Sequence, residues 1–172
     1  MLSENIISVS DLPALRSHLE EQTIVLATGC FDILHSGHLY FLSDASKQGD
    51  ILVVGLNSDH SIKMIKGNHR PIVGQNERAT LVAAIRYVDY VFIFTDTMAD
   101  KYIYNLKPNV FAIGHESVKA YPSESIAAKQ VGARVHIVTR IPSESTTSIV
   151  TSIRSYIETG PSQSTSGAFQ ER

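Results

Sequence analysis

Hydrophobic positions along this chain fall into two alternating patterns. Short continuous apolar runs, rich in β-branched residues, occupy 23–27, 50–56, Tyr90–Phe94, 110–113 and Arg134–Val138. Such runs show no polar alternation, so they predict strands of a parallel sheet covered on both faces. Between them lie segments with apolar residues at helical spacing. Leu12, Leu15 and Leu19 form a stripe behind Ser10, a candidate cap, and Pro13. A helix over 39–45 is closed by Lys47 and Gly49. A helix opening at 75–78 places Leu81, Ile85 and Val88 on its buried side, with Asn76 as cap. Thr97 and Asp100 start a helix that runs to Leu106 and stops before Pro108. A further helix spans 123–131 with Gly132 after it, and the last carries Ile149, Val150, Ile153 and Ile157. Strands alternating with helices predict an α/β fold, a doubly wound and mostly parallel five-stranded sheet. The pattern is that of one domain, 1–159. Residues 160–172 are rich in Ser, Gly and Gln without periodicity and are expected to be a disordered tail.

Composition narrows the partners. A 43% hydrophobic, 19% charged chain of 172 residues is ordinary for a globular domain. The net charge of −2 comes without a long basic run, which argues against nucleic acid and against an anionic membrane. No apolar run approaches the ~20 residues of a membrane span, and residues 1–9 lack the pattern of a secretory signal. A single cysteine allows no intramolecular disulfide. The expected compartment is the cytoplasm.

The chemistry concentrates in residues 29–38, Gly-Cys-Phe-Asp-Ile-Leu-His-Ser-Gly-His. They follow the first predicted strand and open a helix, so His35 and His38 sit i, i+3 on its first turn. Backbone N–H groups and the positive end of the helix dipole meet there, which suits a phosphate. Gly29 and Gly37 let backbone approach a ligand without a Cβ in the way. A metal site built from His35, His38 and Cys30 is the competing reading. It lacks a second thiolate or any accompanying ligand pair, so no metal ligands are assigned.

Other polar clusters fall at strand ends. Asn57-Ser58-Asp59 follows the second strand, where open α/β sheets bind ligands. Lys63, Lys66, His69 and Arg70 crowd the next segment, which reads either as a solvated loop or as a positively charged flap over a triphosphate. Gly114-His115-Glu116 ends the fourth strand. Arg140 and the hydroxyls of Ser143 and 145–148 precede the last helix, offering caps and a second anion seat.

Residues 29–38 closely resemble the signature of the cytidylyltransferase-like nucleotidyltransferases: Gly-x-Phe-Asp, then His-x-Gly-His. The likeness extends from about Thr23 to Ile157 and includes Asn57-Ser58-Asp59, Lys66-Gly67, Arg70-Pro71-Ile72, Glu77-Arg78, Val88-Asp89 and Ser145-Thr146-Thr147. With Cys in the Gly-Cys-Phe-Asp segment, it looks most like the adenylyltransferase domain group acting on heptose 1-phosphate. Two features depart from that group: Ile113-Gly114-His115-Glu116 stands where Lys-Gly-Gly-Asp is usual, and the often-fused kinase domain is missing.

The resemblance implies a Rossmann-like fold and an enzyme that joins a nucleoside triphosphate, ATP slightly favoured over CTP, to a phosphorylated sugar or alcohol with release of pyrophosphate. The alternatives are a glycerol-3-phosphate cytidylyltransferase and a non-catalytic nucleotide sensor on the same fold. It implies catalytic roles for His35, His38 and Lys47. His38 would lie nearest the α-phosphate, and Lys47 would neutralise that phosphate or the acceptor. Nucleotide binding would fall to Gly29, Cys30, Phe31, Asp32, Gly37, Asn57, Asp59, Lys66, Arg78, Gly114, Ser145, Thr146 and Thr147. Arg78 and the 145–147 hydroxyls would hold the β- and γ-phosphates, while Asp32 either orients the site or caps its loop. Mg²⁺ accompanying the nucleotide and a homodimeric assembly are implied as well.

Overall fold

The computed structural model describes residues 4–139 and 145–159. Their strands form one parallel sheet with the order β1-β4-β3-β2-β5-β6. Five are the predicted ones: β2 (Ile24–Gly29), β3 (Ile51–Asn57), β4 (Tyr90–Phe94), β5 (Val110–Gly114) and β6 (Arg134–Val138). The sixth, β1 (Ile6–Ile7), corrects the expected five; it pairs Ile6 and Ile7 with Val91 and Phe92 at the β4 edge. Two residues are too short to show a hydrophobic period, so the sequence carries no strand signal there.

Beyond β2 the chain moves outward through β3 and β4, then crosses back to add β5 and β6 on the other side. The point where the strand order reverses therefore lies between β2 and β5, directly after the signature strand, where such sheets leave a crevice at their carboxyl ends.

Helices cover both faces, as continuous apolar strands require. On one face α1 (Leu12–His18), α5 (Asp100–Leu106) and α7 (Pro122–Gln130) pack on Leu26, Val53, Phe92, Phe94 and Phe111. Phe92, Phe94 and Tyr102 form a tilted aromatic cluster with ring centroids 4.9–6.1 Å apart. On the other face α2 (Ser36–Ser46) and α4 (Gln75–Ala83) pack on Val25, Ala27, Val54 and Leu56.

Several helix details differ from the pattern reading. Ser8, rather than Ser10, caps the 3₁₀ turn Val9–Asp11 that leads into α1. Gly74, not Asn76, is the N-cap residue of α4, and Leu81 is exposed, because the helix turns Arg78, Ala79, Val82 and Ala83 inward. The basic segment after β3 is mostly helical, α3 (Asp59–Lys66), capped by Ser58. The helix expected over 123–131 is α7; a short helix with no counterpart in the pattern reading, α6 (His115–Ala120), precedes it and meets it at Tyr121. In α8 (Thr146–Thr159), Ile149 and Val150 are half-buried but Ile153 and Ile157 are exposed. The tail 160–172, Arg140 and Ser143 lie outside the described residues.

Candidate active site

The loop from β2 to α2 is held in an unusual backbone conformation. Phe31 and Ile33 have φ of 47° and 50°, a left-handed region that non-glycine residues rarely occupy. This reversal tucks the Phe31 ring under Gly29, where a Cβ would come within 3.0 Å of it. Phe31 is buried and stacks obliquely on His38, centroids 5.2 Å apart. The glycine thus makes room for a neighbouring ring in the same loop.

Asp32 is the tie of this loop. It is 3% exposed; Arg70 donates to its Oδ2 at 2.7 Å, and the N–H groups of Ile72 and Val73 donate to its Oδ1 at 2.9 and 3.1 Å. Its backbone carbonyl accepts from the Thr146 hydroxyl at 2.5 Å. One residue therefore joins the signature loop, the segment after α3 and the start of α8. Of the two sequence readings, the loop-organising one describes these contacts.

Arg78 plays a comparable part beneath it. At 1% exposure its guanidinium donates to the carbonyls of Val73, Cys30 and Asn57 and to Asp59 Oδ1, at 2.5–3.0 Å. All four of these partners are protein oxygens, a geometry suited to the forked guanidinium. The structure thus places Arg78 under the strand-end loops rather than at a phosphate, and Asp59 serves as its counter-ion.

His35 caps α2: its Nδ1 accepts the Gly37 N–H at 3.2 Å, which leaves the proton of the neutral ring on Nε2. The His35 and His38 rings stack with centroids 3.8 Å apart. Burial, then the neighbouring His35 and Lys66, push the His38 pKa down to about 4. His38 is therefore neutral at pH 7, and its Nδ1 is buried without a hydrogen-bond partner among the described residues.

The pair opens on a cavity of about 540 Å³ across the carboxyl ends of the strands. From the predicted set it is lined by Gly29, Cys30, Phe31, Asp32, His35, Gly37, His38, Asn57, Lys66, Gly114, Ser145, Thr146 and Thr147. Lys47 is not brought there. It is the exposed C-cap residue of α2, roughly 16 Å along the helix axis from the histidines. Lys66, at the end of α3, is the lysine that lines the cavity, near enough to hydrogen-bond Cys30. Burial nevertheless dominates at Cys30 and pushes its thiol up, so it is no reactive thiolate.

Residues that the sequence reading did not assign to the site complete the lining, among them Tyr40, Thr97, Tyr121 and Glu124. Glu124 is 6% exposed and accepts the Ala99 N–H at 2.9 Å, capping α5 from another helix. Burial pushes its carboxyl up to about 7. No local signal marks these positions: a glutamate in a helix reads as solvent-facing until the packing of α7 on α5 is known. Among the described residues no group of three His, Cys, Asp or Glu side chains could hold a metal ion, and no helix is long and apolar enough to cross a membrane.

Comparison with known proteins agrees with this geometry. The chain is 39% identical over 149 residues to the bifunctional protein HldE of Campylobacter fetus subsp. fetus, covering 87% of this chain and 31% of that one. It is 41% identical over 143 residues to the bifunctional protein HldE of Helicobacter pylori (strain HPAG1), covering 83% and 30%. The chain thus spans about three-tenths of the length of the curated relatives it matches. Among solved structures it is similar to the lipopolysaccharide core biosynthesis protein of Thermoplasma volcanium GSS1, with 29% identity, a TM-score of 0.57 and coverage of 70% of this chain and 97% of that one. It shares its fold with the pantoate-beta-alanine ligase of Francisella tularensis at 14% identity and a TM-score of 0.58, over 81% and 70% of the two chains. The family model for cytidylyltransferase-like proteins matches residues 26–159, from the signature strand to the end of α8. With nearly all of its folded length inside that match, the chain belongs to the cytidylyltransferase-like family and is a nucleotidyltransferase.

Proposed function

We propose that this protein transfers a nucleotidyl group, from ATP in preference to CTP, to the phosphate of a phosphorylated sugar and releases pyrophosphate. The observation that carries this reading is the stacked His35–His38 pair at the start of α2, opening on a cavity at the strand-order reversal. A sugar as acceptor is supported by the likeness to the HldE relatives and to a lipopolysaccharide core biosynthesis protein.

In this reading an oxygen of the acceptor phosphate attacks the α-phosphorus and the pyrophosphate oxygen leaves in line. The nucleophile is already anionic, so rate comes from positioning and from stabilising charge on the transferred phosphoryl group. Neutral His38 has a ring N–H to donate, and its stacking on His35 fixes the direction of both rings. Lys66 brings the positive charge that the sequence reading assigned to Lys47. Ser145 and Thr147 at the start of α8 offer hydroxyls for the β- and γ-phosphates, while Thr146 holds the start of α8 to the Asp32 carbonyl.

Mg²⁺ would reach the site on the nucleotide, neutralising phosphate charge. Among the described residues the side-chain donors do not fit a resident ion, since Asp32 is committed to Arg70 and two backbone N–H groups.

The test is pyrophosphate release from ATP, CTP, GTP and UTP against sugar 1-phosphates and glycerol 3-phosphate. ATP with a sugar 1-phosphate is expected to turn over fastest. Turnover only with CTP and glycerol 3-phosphate would replace the acceptor and base, and nucleotide binding without turnover would make the protein a sensor.

A homodimer belongs to the same proposal. Leu39 and Tyr40 of α2 and Tyr87 after α4 are exposed side by side around a shallow apolar depression, surface that a second copy would cover. Light scattering at micromolar concentration should give twice the chain mass; a monomer would overturn it.

A further inference from the structure

The cavity does not end at the histidines. From α2 on one face of the sheet and the start of α8 it passes over the strand ends to α6 and α7 on the other face. Past β5 and β6 the lining includes Ile113 and Val138, apolar surface suited to a flat base. Where β3 and β4 end its lining is polar, with Asn57 and Thr97; Glu124 of α7 reaches the nearby Ala99, and Tyr121 lines the cavity from the α6–α7 junction.

Glu124 is unusual there. A carboxyl this deeply buried is costly without a cation beside it, and no ion pair reaches it among the described residues. Its nearest charged neighbour that alters its ionisation is another acid, Asp100. Capping the Ala99 N–H engages only Oε1, a task that a glutamine would perform without an ionisable group. The second oxygen has no hydrogen-bond partner among the described residues, and the residue lines the cavity. Tyr121, at the junction of α6 and α7, is close enough to feel the Glu124 charge, and burial raises its phenol, so it keeps its O–H. A hydrogen-bond acceptor and an amphoteric hydroxyl therefore stand together in the cavity lining, one turn apart at the start of α7.

We propose that Glu124 and Tyr121 form the acceptor-reading end of the cavity and hydrogen-bond the hydroxyl groups of a polyhydroxylated phosphate monoester. This rests on the nucleotidyltransferase reading for its placement of the phosphates at α2. A cationic acceptor would also suit a carboxylate, but Lys66 lines the same cavity and repels it. A site built to bind hydroxyls rejects an analogue without them, because its buried polar groups are then left unpaired.

Calorimetric binding separates this inference from the question of turnover. The probes are a panel of hexose and heptose 1-phosphates and glycerol 3-phosphate, with ethyl phosphate as the hydroxyl-free control and phosphoethanolamine as the cationic one. Wild-type protein is expected to bind at least one sugar phosphate about ten-fold or more tighter than ethyl phosphate. Glu124→Gln keeps the cap on Ala99 while converting the second oxygen to a donor, and should collapse that ratio by about ten-fold. Tyr121→Phe should reduce it in the same direction, with ATP affinity unchanged in both variants.

No preference for any hydroxylated probe in the wild type, an unchanged ratio in Glu124→Gln, or tightest binding of phosphoethanolamine would each overturn the proposal. A preserved preference in a wild-type protein that releases no pyrophosphate would overturn the proposed function instead and leave the acceptor-reading end standing.

Discussion

At the scale of single residues, His38 and Lys66 carry the tests of the chemistry. His38→Ala removes one ring N–H from a preorganised pair, a loss of about 10²–10³ in kcat when a single transition-state donor is deleted. The variant should keep its fold, since the ring is only half-buried and its Nδ1 bonds no described residue. A folded His38→Ala enzyme with most of its wild-type kcat would remove His38 from the mechanism. Two lysines give the contrast. Lys66→Ala should cut kcat/KM for the nucleotide at least ten-fold, whereas Lys47→Ala, on a side chain exposed at the far end of α2, should leave it within about two-fold. The reverse ranking would mean that the lysine assigned by resemblance reaches the site in a conformation other than this one.

Secondary-structure elements are joined around the site by buried polar side chains. Arg78 projects from α4 to oxygens of the loops after β2 and β3 and of the segment before α4. Arg78→Ala strands several buried carbonyls at once and leaves Asp59 without its partner, so a loss on the order of 3 kcal/mol is expected in urea unfolding. Arg78→Lys should recover little of it, because one ammonium cannot serve four oxygens spread over a planar fork. A midpoint for either variant equal to wild type would show that these loops are held by packing alone. Asp32 does for the 70–73 segment what Arg78 does for the strand ends. The flap reading of the basic segment is thereby narrowed to the part around Gly67–His69, since Arg70, Ile72 and Val73 are bonded to a buried carboxylate.

For the whole molecule, two buried ionisable groups act in opposite directions on stability. Native His38 stays neutral down to about pH 4, while in the unfolded chain it takes up a proton near its ordinary 6.5; stability is lost as pH falls through that window. Native Glu124 holds its proton up to about pH 7, while in the unfolded chain it releases it near 4.5; stability is lost as pH rises through that window. Glu124→Gln removes only the second effect. The melting temperature of Glu124→Gln relative to wild type should therefore climb as pH rises from about 4.5 to about 7 and then level off. A difference that is flat with pH would mean that Glu124 ionises in the folded protein as it does in water.

Much of this architecture is a local matter, and the chain alone determines it. Five strands are legible because a parallel strand buried on both faces must be apolar along its whole length, and the helices between them because one stripe must face the sheet. The phosphate seat is legible because its parts, two histidines and the flanking glycines, lie within ten residues of one strand-to-helix turn. What only the tertiary structure decided are relations between distant segments. The edge strand β1 exists because β4 offers it partners, not because Ile6 and Ile7 form a pattern. Arg78 reads as a phosphate ligand until the folded chain surrounds it with carbonyls, and Glu124 reads as a solvated helix residue until α7 packs on α5 and buries it. Lys47 and Lys66 look equally able to reach a phosphate in sequence, yet the rise of one helix carries the first away and the end of another brings the second in. Hydrophobic period reports which face of an element is covered; it carries no information about which polar group, dozens of residues away, will be waiting there.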